Sequence, residues 1–254
     1  MAEKIIVLTG TSSGIGKELA GLLAAQGHQL VLAARREPEL KALAKAVGGL
    51  AVVTDVTRRE DVERLRDTAL ETHGRVEVWI NNAGQGISRP VMDLSDEDLD
   101  SMMAVNVKSA LYGMQAIIPH FMVRNSGHLI NVSSFLARVP MASFRSAYSA
   151  SKAALNSLTA NLRMDLAESH PGVKVSLVMP GAVRTPFAQN AVGGDGQPLP
   201  ASVPAQSVQE VAAAIAELVE RPRAELLTNP AHAAAQLRYF QDVAAFEAAM
   251  RERA

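Results

Sequence analysis

The stretch from Ile5 to about Gln26 most constrains how this chain can fold. Ile5-Ile6-Val7-Leu8 is an unbroken apolar run, the pattern of a strand buried on both faces of a parallel sheet. It leads straight into Thr9-Gly10-Thr11-Ser12-Ser13-Gly14-Ile15-Gly16, and the alanine- and leucine-rich segment that follows predicts a helix. Strand, glycine loop and helix in this order form the context of a phosphate-binding turn. Glycine permits the tight turn, and the helix start offers free N–H groups and the positive end of its dipole to an anion. The spacing is G-x-x-x-G-x-G, and no Gly-Lys-Ser/Thr follows, which excludes a Walker loop.

The rest of the chain repeats the alternation. Leu30–Ala34, Leu50–Thr54, Val76–Ile80, His128–Val132, Val173–Met179 and Ala224–Thr228 predict further strands. Helices are expected around Pro38–Val47, from Thr57, from Ser95 to near Asn125, over Ala147–Leu166, over Val211–Glu220 and from about Ala231 to Arg251. Thr57/Glu60, Ser95/Asp98 and Ser207/Glu210 have the spacing of capping boxes. Strands alternating with helices indicate an α/β fold with a doubly wound parallel sheet. No repeat or low-complexity linker divides the chain, so one domain over 1–254 is expected. The glycine- and proline-rich stretch at about 186–206 reads as a mobile substrate loop, and the helix at about 230–251 closes the chain.

Composition removes several function classes. A net charge of −1 gives no electrostatic case for nucleic acid or an anionic membrane. There is no cysteine, hence no disulfide and no thiolate site. The six histidines show no metal-ligand spacing, and the acidic cluster Asp93–Asp100 reads as charge complementing a helix start, so no metal site is expected. No apolar run has the length of a membrane span, and Met1–Leu8 lacks the pattern of a secretion signal; the cytoplasm is the expected compartment.

Two patterns carry chemistry. At the end of the second strand Ala34 occupies the place where an acidic residue would bind a ribose 2′-hydroxyl, and Arg35-Arg36 follows. A guanidinium there suits a 2′-phosphate, which favours NADP(H) over NAD(H). Further on, Tyr148 and Lys152 stand four apart on a predicted helix and share a face. A phenol with a pKa of about 10 is a poor acid–base group at neutral pH, and a neighbouring ammonium favours its phenolate.

Taken together, the Thr9–Gly16 loop, Asn81-Asn82-Ala83-Gly84, Ser133-Ser134, Tyr148-x-x-x-Lys152 and Pro180-Gly181-x-Val183-x-Thr185 resemble the short-chain dehydrogenase/reductase family, over about Ile5 to Phe187. The glycine spacing is similar to that of the compact oxidoreductase branch. The resemblance implies a Rossmann-like sheet of about seven strands in the order 3-2-1-4-5-6-7. It implies that Gly10, Ser13, Gly14, Ile15 and Gly16 cradle the cofactor phosphates, with Thr11 or Ser13 assisting Arg35. Asp55 and Val56 would hold the adenine, and Asn82, Ala83 and Gly84 would border the adenosine. Pro180, Val183 and Thr185 would hold the nicotinamide end, and Lys152 the nicotinamide ribose.

By the same resemblance, Tyr148 is the general acid and base, Ser134 binds the substrate oxygen, and Asn106 positions a proton-relay water beside Lys152. Ser134 and Tyr148 are separated by one residue more than in the family pattern, which leaves Ser133 as the alternative serine. The implied activity is hydride transfer between NADP(H) and a carbonyl or secondary alcohol of a small to medium apolar substrate. The substrate end is expected along Gln85–Pro90, Phe135–Phe144 and Phe187–Pro204. A homodimer or homotetramer is implied, built through the two long helices. A silent dinucleotide-binding sensor or scaffold, and non-redox dehydratase-type chemistry, are the competing functions.

Overall fold

The structure is a computed structural model describing residues 3–252; Met1, Ala2, Arg253 and Ala254 of the expected domain span lie outside the described residues. Seven parallel strands are β1 (Ile5–Thr9), β2 (Gln29–Ala34), β3 (Leu50–Val53), β4 (Val78–Asn81), β5 (Gly127–Val132), β6 (Val173–Met179) and β7 (Glu225–Leu227). They lie in the order β3-β2-β1-β4-β5-β6-β7, so the expected topology is observed. β1 is flanked in register by both neighbours, with Val7 opposite Val31 on β2 and Trp79 on β4.

Strand periodicity explains how two cores arise from one sheet. Ile6 and Leu8 face one side and pack with Leu19, Leu23, Leu30 and Leu32. The helices of that layer are α1 (Gly14–Ala25), α2 (Glu37–Val47) and, later in the chain, the helix Val208–Glu220. Ile5 and Val7 face the other side, where Val31, Trp79, Phe121, Leu129 and Leu155 join them. That layer consists of α3 (Arg59–His73), α4 (Asp96–Met103), α5 (Ser109–Arg124) and α6 (Ser146–Ala167). The chain ends in α7 (Val208–Glu220), α8 (Ala231–Gln241) and α9 (Val243–Arg251). No described helix is long and apolar enough to cross a membrane.

Three expectations fail locally, each for a visible reason. The long helix from Ser95 is not continuous: the capping box forms at Ser95 and Asp98, but a π-helical turn, Ala104–Lys108, separates α4 from α5. Thr57 caps nothing, because its hydroxyl donates to Asp55 Oδ1 at 2.7 Å and α3 starts only at Arg59. The last helix is broken at Asp242, whose carboxylate turns back to accept the Ala245 N–H at 2.9 Å and so opens α9.

A buried polar chain ties the second layer to the sheet. Trp79 Nε1 donates to Asn81 Oδ1 at 2.8 Å, Asn81 Nδ2 to Asn131 Oδ1 at 2.9 Å, and Asn131 Nδ2 to Thr159 Oγ1 at 2.9 Å. Both Asn131 and Thr159 are fully buried. Thr159→Val keeps the shape but leaves an amide donor without a partner, and should destabilise the fold by about 1–3 kcal/mol. Urea unfolding with an unchanged denaturant slope is the check; an unaltered midpoint would show that the chain adds nothing.

Candidate active site

The carboxyl ends of the strands open into one cleft of about 1450 Å³, lined from Gly10 on the first loop to Met250 on α9. Its floor begins where the glycine loop crosses β4. Gly10 has φ +72°, and a Cβ there would lie 2.8 Å from Ala83 Cα. A Cβ on Gly16 would lie 2.4 Å from the Gly10 carbonyl oxygen and 2.6 Å from Asn82 Nδ2, so Gly16 serves close packing and does not line the cleft. Ser13 is the residue before α1, yet its side chain makes no capping bond, and the first turn holds no acidic residue. The first-turn amides of α1 therefore face the cleft uncapped, a fit for a dinucleotide pyrophosphate.

At the adenosine end, Ala34, Arg35, Arg36, Asp55, Val56, Asn82 and Ala83 line the cleft. Thr11 is not among the lining residues: it is fully buried and its hydroxyl donates to Ala33 O at 3.3 Å. Ser12 and Ser13 line the cleft instead. The Arg36 guanidinium donates to Ser12 Oγ through Nη2 at 3.0 Å and Nε at 3.2 Å, joining the glycine loop to the end of β2. Sequence reasoning singled out Arg35; both arginines face the cleft, and the Arg36–Ser12 pair was the part missed.

At the other end Ser134, Tyr148, Lys152, Pro180, Val183 and Thr185 converge. β5 ends at Val132, so consecutive serines point to different sides. Ser133 Oγ is committed to Asn156 Oδ1 at 2.5 Å and to the Lys152 carbonyl at 3.2 Å. Ser134 is left beside Tyr148, where its hydroxyl also accepts the Leu136 N–H at 3.2 Å. Phe187 closes over the tyrosine edge-on, with ring centroids 5.4 Å apart.

The electrostatics differ from the simplest expectation. Burial raises the Tyr148 pKa, while its bond with Ser134 and the charge of Arg145 pull it back down. Lys152 is 3% exposed, and its ammonium donates to the Val132 carbonyl at 2.8 Å. The cation that favours the phenolate in this arrangement is thus Arg145, one helical turn before the tyrosine. Burial alone pushes Lys152 down to about 8.

Asn106 is fully buried within the π-helical turn. Its Oδ1 accepts the Gln85 N–H at 3.0 Å, and its Nδ2 donates to Gln85 O at 2.9 Å and Ser151 Oγ at 3.1 Å. Gly84 is the meeting point: a Cβ there would lie 3.1 Å from Asn106 Oδ1 and 3.4 Å from Lys152 Nζ. No cluster of metal-ligating side chains occurs among the described residues.

The fold and cleft define a Rossmann-type dinucleotide protein with a serine, a tyrosine and a lysine at the reactive end. The short chain dehydrogenase family model matches residues 4–195, and the chain belongs to that family of oxidoreductases. An uncharacterised oxidoreductase of Staphylococcus aureus (strain N315) is 40% identical over 188 residues, 73% of this chain and 80% of the relative. A Burkholderia phymatum short-chain dehydrogenase/reductase solved with NAD superposes with a TM-score of 0.85 at 28% identity, covering 95% of this chain and 94% of the other. A Sphingobium yanoikuyae short-chain dehydrogenase solved with NADPH gives 0.80 at 29% identity, covering 94% and 93%.

The buried ammonium has a consequence for stability. An unfolded lysine titrates at about 10.4, so between about 8 and that value the unfolded chain binds more protons than the folded one. Stability therefore rises with pH across that window, and below it the fold carries the penalty of a buried charge. Lys152→Met should be more stable than the parent by on the order of 1–3 kcal/mol at about pH 7, with the gap closing towards about pH 10. Denaturant unfolding of the ligand-free protein at the two pH values reads this directly; a less stable variant at neutral pH would contradict it.

Proposed function

We propose that the protein is an NADP(H)-dependent carbonyl reductase, or alcohol dehydrogenase in the reverse direction, acting on small to medium, largely apolar substrates. The observation that carries the reaction type is the convergence of Ser134, Tyr148 and Lys152 at the far end of a cleft floored by the glycine loop. The Arg36–Ser12 bridge with Arg35 beside it, and Ala34 in place of an acid, support the 2′-phosphate. Phe135, Leu136, Met141, Phe144 and Phe187 give the substrate end an apolar wall.

A bound nicotinamide supplies or accepts the hydride. The protein does the rest. Ser134 and Tyr148 hydroxyls hold the carbonyl oxygen, where negative charge grows as the carbon is reduced, and Tyr148 delivers the proton to that oxygen. Lys152 and Asn106 meet at Gly84, and there Asn106 would position the water that returns a proton through Lys152. Burial makes each of these dipoles more effective than in water, because none has to reorganise during the step.

Assembly is part of this reading. Val123 on α5 and Met164 on α6 are 91% and 75% exposed, an apolar surface suited to a homodimer or homotetramer through these helices. Light scattering coupled to gel filtration is expected to give a mass of at least two chains, reduced by Val123→Asp with Met164→Asp; a monomer would reject the assembly.

Nucleotide fluorescence titrations test the cofactor first. NADPH should bind about tenfold or more tightly than NADH, and Arg36→Ala or Arg35→Ala should erase that difference. Equal affinities in the parent would reject NADP preference alone. Tyr148→Phe should lower NADPH-linked turnover by about a hundredfold or more with nucleotide affinity retained; undiminished turnover would overturn the mechanism and favour a silent or non-redox protein.

A further inference from the structure

Besides favouring the Tyr148 phenolate, Arg145 is a cation that the fold does not neutralise. It precedes α6, where the helix dipole disfavours positive charge, and it makes no side-chain capping bond. Its Nη1 donates to the Ile87 carbonyl at 3.0 Å, and its Cζ lies 5.1 Å from the Phe144 ring centroid. Nε and Nη2 donate to no group among the described residues, and no described carboxylate lies within ion-pair distance. The contrast with Arg89 is direct, since Arg89 pairs with Asp98 at 3.1 Å. Arg145 is half-buried, and burial lowers its pKa, so its charge is held at a desolvation cost.

Its neighbours leave the role open to a ligand. Arg145 lines the catalytic end of the cleft together with Tyr148, Phe187 and Gln85. The other cation there, Lys152, donates to Val132 O and is the group expected to hold the nicotinamide ribose. His232 is held flat on Phe135, with centroids 3.9 Å apart, and burial lowers its pKa. The lining carboxylates are Asp55 at the adenosine end and Asp195 on the loop, whose Oδ1 accepts the Gln197 N–H at 3.0 Å. One guanidinium edge is therefore left without a protein partner on the cleft wall, beside the apolar Phe144 and Phe187.

We propose that Arg145 binds a carboxylate of the substrate, so that the enzyme acts on short oxo or hydroxy acids with an apolar body. This rests on the carbonyl-reductase reading. A planar guanidinium with two free N–H groups matches a carboxylate in the bidentate manner. Arg145 immediately precedes α6 and its charge acts on the Tyr148 phenol, so a carboxylate at the guanidinium and a carbonyl at the phenol fit one short molecule.

Levulinate and its primary amide form the test pair, assayed with the full chain and NADPH. The parent should prefer the acid by about tenfold or more in kcat/KM, chiefly through KM, with the ratio falling to about one in Arg145→Gln and partly restored in Arg145→Lys. An indifferent parent overturns the proposal. So does an Arg145→Gln enzyme that keeps the acid-to-amide ratio but loses kcat for both with its pH profile displaced, because the arginine would then act on Tyr148 alone. Butyrate and butyramide, titrated calorimetrically into the enzyme–NADP complex, give the same comparison without turnover. Butyrate binding that is lost in Arg145→Gln upholds the anion site even where hydride transfer fails, and equal binding of the two rejects it.

Discussion

The constraint on which the site depends is the contact between the end of β1 and the end of β4. The Thr9 hydroxyl accepts the N–H groups of Asn82 and Ala83, each at 3.1 Å, while Asn82 Nδ2 donates back to Thr9 O at 2.9 Å and Gly10 O at 3.3 Å. These bonds satisfy backbone groups just where the two strands stop pairing, a point at which a parallel sheet would otherwise leave them open. They also draw the two loops so close that neither Gly10 nor Gly16 has room for a Cβ. The amides of α1 are thereby fixed in direction. A flexible loop could bind a phosphate too, but it would lose ordering entropy on each binding event.

Much of this was legible in the sequence because the signals are local. The continuous apolar strands, the glycine spacing and the Ser95 and Ser207 capping boxes each depend on residues within one element, and the structure realises them. Thr57 had the same capping spacing but failed, since Asp55 two residues earlier competes for its hydroxyl and Asp61 accepts the Asp55 N–H at 2.9 Å. The π-helical turn at Asn106 had no local mark, neither proline nor glycine. It widens the helix where Asn106 must reach Gln85 and Ser151, both distant in sequence. Arg145 stands one turn before the tyrosine but drew no expectation from the sequence. Its lack of a partner could not be read there, because that depends on how β4, α6 and the late loop meet.

The two buried titratable groups of the site are held by different means. Tyr148 has its hydroxyl beside Ser134 and a cation nearby, so its rise through burial is partly offset. Among the described residues the Lys152 ammonium has one acceptor, Val132 O, and nothing opposes its fall to about 8. The two are thus driven apart from ordinary values near 10, the phenol upward and the ammonium downward, because burial penalises the charged form of each. That divergence is a property of burial, and it favours the protonated phenol beside a lysine whose proton is weakly held. The polar chain through Asn81, Asn131 and Thr159 supports it by holding α6 against the sheet.

Division of labour along the chain follows from the same geometry. The family match ends at residue 195, and every group assigned to binding phosphate or moving a proton lies before that point. The substrate end is completed by residues after it, among them Leu199, Pro200, Val203, His232 and Met250. His232 is the pivot of this later wall, since it covers Phe135 and fills the space over Gly181, where a Cβ would lie 2.2 Å from its ring. α8 and α9 themselves bury none of their residues in the described chain, so the late helices are attached to the body through few such contacts. A wall of that kind can change its lining without disturbing the strand ends that carry the chemistry. On the proposed function, reaction type is therefore set at the strand ends, and the shape of what is reduced by the late loop, the terminal helices and the arginine that lines the same cleft.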